Sequence, residues 1–279
     1  MQARNIIKAS DDFGEILKVT PEIAGWKHLS FSVCNHGDGK GYHDMRDGLE
    51  TAIVPLSGSG KFIVAGQEYT LSRTSVFEQM PHILYVTPGE SIELEEGGDL
   101  TFAIGSAPAE GRYPTRLFKP SEMNSEIRGG GASLRQVNHV LAGKLPAERL
   151  ILFEVYVPRG MWSGWAPHCH DGRDGSSYLE ETYYFRMDPG NGFWMHRNWR
   201  EEENFDEVIC GGDGDCALVS KGYHSSVACP GSNMFFLNYL AGDLLDEKRN
   251  APLCFDEQYT WIHEDWEKGK WELPVVSSD

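Results

Sequence analysis

Short runs of β-branched and aromatic residues, broken every few positions by Gly, Pro, Asp or Ser, set the tightest limit on what this chain can become. Such runs suit a pleated, half-buried surface, and the breaks leave little room for helices of several turns. The pattern therefore predicts an all-β sandwich or barrel with few, short helices. In the first half the expected strands are 29–33, 50–56, 61–65, 75–80, 83–87 and 100–105, with the SGSG stretch at 57–60 as a hairpin turn. In the second half they are 149–157, 181–187, 193–199, 216–220, 226–229 and 233–242. The halves share a rhythm, each having a pre-hairpin strand that opens on a glutamate, Glu50 or Glu181. A duplicated β-barrel follows, divided into residues 1–135 and 136–279. The intervening segment 110–136 is rich in Pro, Gly, Ser and charge, as a boundary requires, and its arginines also suit a cover over a barrel mouth. Its most flexible point is 129–131.

Charge narrows the partners. With 25 Lys+Arg against 42 Asp+Glu in 279 residues, the net charge of −17 repels nucleic acid and anionic lipid surfaces. No apolar run reaches the roughly 18 residues of a membrane span, and the opening MQARNIIKASDDFGEIL lacks a signal-peptide pattern, so a cytoplasmic protein is expected. The six cysteines form no CxxC pair, and reduced thiols are the expectation. Cys210 and Cys216, which bracket GGDGD, read as incidental thiols on a loop.

The segment GWAPHCHDGRDGSSYLEETYYFRM carries the strongest chemical signal. On a strand, His168 and His170 share a face while Cys169 points away. The loop 171–179 then brings the next strand back antiparallel, with a carboxylate across from the two imidazoles. Parity selects which one: Glu181 shares its face with Tyr183, Phe185 and Met187, whereas Glu180 goes with Thr182, Tyr184 and Arg186. An apolar interior favours Glu181. His224, downstream in KGYH, offers a third imidazole, and Trp162, Trp165, Tyr183 and Tyr184 flank the set as a pocket lining would. Three imidazoles and a carboxylate suit zinc, iron, manganese, nickel or copper better than calcium or magnesium. The first half has no such pair; a degenerate site at His43 and His82 can be imagined but is not the expected reading. Among the remaining histidines His28, His36, His139 and His263 read as packing residues, while His196, on the strand after Glu181, can approach the pocket.

These motifs, together with TSVFEQMP, PTRLFKPSEM, EIRGGG, MWSGWAPHCHD, LEETYYFRMDPGNGF and FFLNYLAG, resemble over most of the chain the bicupin uronate isomerases, in particular the 5-deoxy-glucuronate isomerases of bacterial inositol catabolism. The resemblance implies a bicupin fold of two jelly-roll barrels and an aldose–ketose isomerisation of 5-deoxy-glucuronate to 5-dehydro-2-deoxy-gluconate. It also implies metal ligands at His168, His170, Glu181 and His224, with one divalent transition metal, zinc ahead of iron, manganese or nickel. The first barrel is expected to lack a metal. The chain departs from the family in having Ser220 and Ser225 where proline is usual, which loosens the loop before His224, and Cys169 where lysine is common. Glu181, Tyr184, Tyr183 and His196 are candidate proton carriers. A uronate carboxylate calls for an arginine, with Arg197 preferred over Arg186, Arg173 and Arg128, although a regular strand cannot turn both His196 and Arg197 inward. The partner is then a small-molecule uronate, and unpaired edge strands leave room for a homo-oligomer. Two other functions fit the same motifs: a cupin metal-dependent dioxygenase, and a non-catalytic sugar-acid-binding bicupin.

Overall fold

The structure is a computed structural model that describes residues 5–219, 221–250, 252–273 and 275. Three antiparallel sheets make up the fold. A nine-stranded sheet holds the first half, from Gly14–Val19 to Arg116–Phe118. The second half closes a seven-stranded sheet against a five-stranded one. The larger carries Asn124–Arg128, Arg135–Leu141, Ile151–Val157, Leu179–Asp188, Cys216–Val219 and Asn233–Gly242, and the short strand Ile6–Ile7 joins its edge. The smaller carries Trp162–Cys169, Trp194–Arg200, Phe205–Gly211, Tyr223–Ala228 and Cys254–Phe255. The all-β expectation holds: among the described residues the only α-helix is Pro21–Ala24, started by the Thr20 side chain and stopped by Gly25 in the left-handed region.

Two features of the first half differ from the sequence reading. The SGSG stretch is no turn, because one strand, Leu49–Val64, runs straight through it. Its pairing slips between Pro55 and Ser57, and Gly58 adopts φ +84°, so the strand bends there and changes partners. The hairpin turn comes later, at Ala65 and Gly66, both with positive φ, between the paired residues Val64 and Gln67. The expected strand 75–80 is instead a turn, in which the amides of Glu78 and Gln79 donate to the Ser75 carbonyl. The Arg73 guanidinium takes the carbonyls of Val76 and Gln79, which a strand would need for its ladder. In the second half the expected strands fall close to the observed ones, with Asn233–Gly242 matching at both ends, but Arg135–Leu141 and Phe205–Gly211 are strands the sequence reading did not anticipate. The end of the expected strand 216–220, Ser220, lies outside the described residues.

Two glutamates tie the halves together by the same device. Glu180 accepts backbone hydrogen bonds from Lys27, His28 and Leu29 at 2.6–2.9 Å, just before the strand Ser30–Asn35. Glu50 accepts them from Glu148, Arg149 and Leu150 at 2.6–2.8 Å, just before Ile151–Val157. Each half thus holds the start of an equivalent strand in the other. Between them lies a shared core of Phe31, Val54, Tyr85, Leu152, Tyr184 and Tyr239. Gly105 lets Tyr239 lie flat there, since a Cβ would sit 2.4 Å from its ring. A buried ion pair crosses the same boundary, Arg73 to Glu154 at 2.6 Å, with neither side chain exposed.

Candidate metal centre

The strand Leu179–Asp188 is buried on both faces, and its alternation sorts the chemistry. Tyr184 and Glu180 turn toward the first half, while Glu181, Tyr183, Phe185 and Met187 turn into the second barrel. His168 and His170 approach from the opposite sheet. The loop joining the two strands closes like a hairpin only at its base, where Asp171 bridges Tyr178 and the Leu179 amide donates to the His170 carbonyl at 2.8 Å. Beyond that point the strands diverge into different sheets, so Glu181 meets the histidines across the barrel interior rather than along a ladder. His224 pairs directly with His168 on the neighbouring strand, at a ring separation of 4.4 Å.

The donor atoms of His168, His170 and His224 all lie within 4.8 Å of one another. Glu181 Oε2 stands 2.8 Å from His170 Nε2 and 3.4 Å from His224 Nε2. His170 Nδ1 is committed to the Leu179 carbonyl at 3.0 Å, which fixes the ring and leaves Nε2 facing inward. Burial opposes charge on all of these groups. It holds His168 well below the ordinary histidine range, while the hydrogen bond from His170 and the nearby His224 ring outweigh it at Glu181 and keep the carboxylate ionised. Both ring nitrogens of His224 are buried without a hydrogen-bond partner. Buried polar atoms are rarely left so. Three converging imidazoles, one with orphaned nitrogens, and an ionised carboxylate fit a divalent transition cation. Above the cluster opens a cavity of about 570 Å³, walled by Trp165, Tyr183, Phe236, His263 and Trp266 among others.

A model of the KduI/IolB family matches residues 5–262. The chain belongs to the KduI/IolB family. Relatives include the 5-deoxy-glucuronate isomerases of Geobacillus kaustophilus, 35% identical over 90% of this chain and 91% of its own, and of Bacillus subtilis, 31% identical over 88% and 92%. Among solved structures, an IolB-like protein from Salmonella typhimurium superposes with a TM-score of 0.87 at 30% identity, covering 93% of this chain and 99% of the other. Bacillus subtilis oxalate decarboxylase shares the fold alone, with a TM-score of 0.61 at 12% identity over 100% of this chain and 88% of its own.

In this KduI/IolB member the sequence-predicted residues divide sharply. His168, His170, Glu181 and His224 come together. Tyr184 does not: it packs in the core between the halves, one pleat step away from the cavity, and Tyr183 takes the place expected of it. Arg197 is likewise turned out, because the strand Trp194–Arg200 buries Trp194, His196 and Asn198 and exposes the residues between. Its guanidinium grips Asp206 through two bonds of 2.8 Å. His196 is buried inside the barrel but held away from the cavity, with one nitrogen on Ser226 Oγ at 2.7 Å and the other on Asn198 Oδ1 at 3.0 Å. Burial lowers its pKa to about 3. The other arginines considered are also engaged, Arg186 with Asp213, Arg173 with Glu203 and Arg128 with Glu126. His43 and His82 join no ligand cluster among the described residues. Sequence reasoning passed over Arg135 on the cavity wall and read His139 and His263, which also line it, as packing residues. Arg135 sits at the edge of the presumed boundary, and only the remark that this arginine-bearing segment can cover a barrel mouth pointed toward it.

Proposed function

We propose that this chain is a metal-dependent 5-deoxy-glucuronate isomerase that forms 5-dehydro-2-deoxy-gluconate, with its metal held by His168, His170, Glu181 and His224. The observation that carries the reading is the buried convergence of three imidazoles and an ionised carboxylate beneath a sugar-sized cavity, in a chain whose relatives are named for this reaction. Residues 136–279 carry the four metal ligands. Residues 1–135 form a barrel without a metal, lending the strand Asn124–Arg128 to the second sheet.

The reaction moves a proton from C2 to C1 through an enediolate, whose negative charge is the main barrier. A divalent cation, zinc by preference, supplies Lewis-acid stabilisation of that charge when bound. The chain does the rest. Burial and the neighbouring Glu181 charge keep the Tyr183 phenol protonated, so its hydroxyl serves as a donor to a substrate oxygen. Both His170 and His224 address Oε2 of Glu181, which leaves Oε1 as the carboxylate oxygen suited to relay the proton. Trp165 and Trp266 at the cavity wall restrict the access of water to the intermediate.

Proton NMR of the metal-loaded protein with 5-deoxy-glucuronate in D2O tests this reading. Appearance of the ketose, with deuterium at C1 where the proton exchanges, supports it. Metal-loaded protein that leaves the aldose unchanged contradicts it, and oxygen consumption would favour a dioxygenase on the same scaffold.

A further inference from the structure

The cavity wall contains a cation that has no ion-pair partner among the described residues. Arg135 opens the strand Arg135–Leu141 and is 8% exposed. Its Nη1 donates to the Ser133 carbonyl at 3.0 Å and to Ser133 Oγ at 3.4 Å, and among the described residues its Nε and Nη2 have no hydrogen-bond partner. No carboxylate among those residues lies within ion-pairing distance of it. Acids are not scarce, since the chain has 42 against 25 bases. Nor is this how the chain treats its other buried arginines: Arg73 is paired with Glu154 and Arg200 with Asp171. Arg249, on the same cavity wall, spends all three nitrogens on the carbonyls of Leu150, Asp246 and Leu145. An isolated buried cation costs several kcal/mol, and the cost is recovered where a bound anion completes the site.

The surroundings repeat the message. Arg128, itself paired with Glu126, is the direct cross-strand partner of Arg135, so a second guanidinium lines the same wall and adds like charge there. The charge of Arg135 is felt at His168 and Tyr183, which places it over the same chamber as the metal cluster. Gly129, at φ +82°, makes room for it, since a Cβ there would lie 2.9 Å from Arg135 Nη1 and 2.2 Å from the Ser133 carbonyl. The free Nε and Nη2 form the side-on fork that matches a carboxylate in two parallel hydrogen bonds.

We infer that Arg135 is the carboxylate clamp of the pocket, the residue that selects a sugar acid over a neutral aldose and sets which end of the sugar faces the histidines. The identity of the sugar rests on the isomerase reading, whereas the demand for a carboxylate rests on the unpaired guanidinium itself.

The test compares metal-loaded wild type with Arg135→Gln and Arg135→Lys, using 5-deoxy-glucuronate and 5-deoxy-glucose, in which a hydroxymethyl group replaces the carboxylate. Metal content and thermal melting are followed in parallel. For the uronate, Arg135→Gln is expected to raise KM by about 30-fold, equivalent to about 2 kcal/mol, with partial recovery in Arg135→Lys. On the neutral aldose kcat/KM stays within about threefold of wild type, a split that a merely structural role would not produce. A uronate KM within about threefold of wild type, or equal losses on both sugars, overturns the assignment. Should Arg135→Gln fail to fold, Arg135→Lys carries the comparison, because it keeps the charge and loses the fork. Calorimetric titration with 5-deoxy-glucuronate separates the two ideas. Wild type that binds the uronate through Arg135 without converting it sinks the isomerase reading and upholds the clamp, and wild type that converts it while Arg135→Gln binds equally well does the reverse.

Discussion

Tyr183 and Tyr184 are neighbours in the chain, yet the pleat sends them to opposite faces of one sheet, and their chemistry parts accordingly. Tyr183→Phe is expected to lower kcat by about tenfold or more through loss of the donor, while Tyr184→Phe stays within about threefold of wild type. Equal effects would contradict the placement. Parity in the sequence already put Glu181 and Tyr183 on one face; what it did not supply was the reason to discard Tyr184, which lies in the first half packed behind it. The same alternation removes Arg197, whose exposed pairing holds the Asp206 carboxyl below its ordinary value through their hydrogen bond. With its folded pKa depressed, Asp206 contributes stability above its unfolded value and loses it as the pH falls through the folded one, and an exposed pair is worth at most about 1 kcal/mol. Arg197→Ala is therefore expected to leave turnover unchanged and to move the Asp206 titration upward, as carboxyl NMR would record. At the ligands, His224→Ala should strip most of the metal from a protein that still folds, whereas Cys169→Ser should keep a full complement. Full metal retention in His224→Ala would remove that residue from the set.

At the scale of elements, the second barrel was legible because its strands are bounded by Gly and Pro and alternate in register with their partners. The first barrel hid its corner. A Gly-Ser-Gly stretch has the composition of a turn, and only the packing around it decides for a bend: a Cβ on Gly58 would meet the Asp99 carbonyl at 2.3 Å, and its φ of +84° is one that other residues avoid. Gly58→Ala is thus expected to destabilise the protein by about 2–3 kcal/mol, by denaturant titration, where the turn reading predicts far less. The apparent strand 75–80 failed for a related reason, since the guanidinium that captures its carbonyls belongs to a residue outside the segment. Gly58 is fixed by a contact far along the chain, and Arg73, though close in sequence, is held by the distant Glu154, so neither shows in a window of sequence.

Across the whole molecule, the site depends on a half that carries none of its ligands. Glu180, next to Glu181, is anchored by three amides from the first half, so the strand that presents the proposed carboxylate ligand is held from behind. Glu180→Ala leaves those amides without an acceptor and is expected to cost about 3 kcal/mol or more, and Glu154→Ala, which strands the buried Arg73, about 3–5 kcal/mol. Melting temperatures unchanged by both would show that the halves are coupled less tightly than their contacts imply. The sequence signalled two similar halves but paired Glu50 with Glu181. The hydrogen bonds pair Glu50 with Glu180 instead, an equivalence that only the contact between the halves reveals. The imidazole cluster and Glu181 are proposed to hold the metal on which turnover depends. The most direct test is to strip the protein with a chelator, add back zinc or another divalent metal in steps, and follow ketose formation from 5-deoxy-glucuronate against metal bound per chain. Activity that is absent in the stripped protein and rises to a plateau at one equivalent is the predicted result; full turnover by stripped, metal-free protein would contradict it.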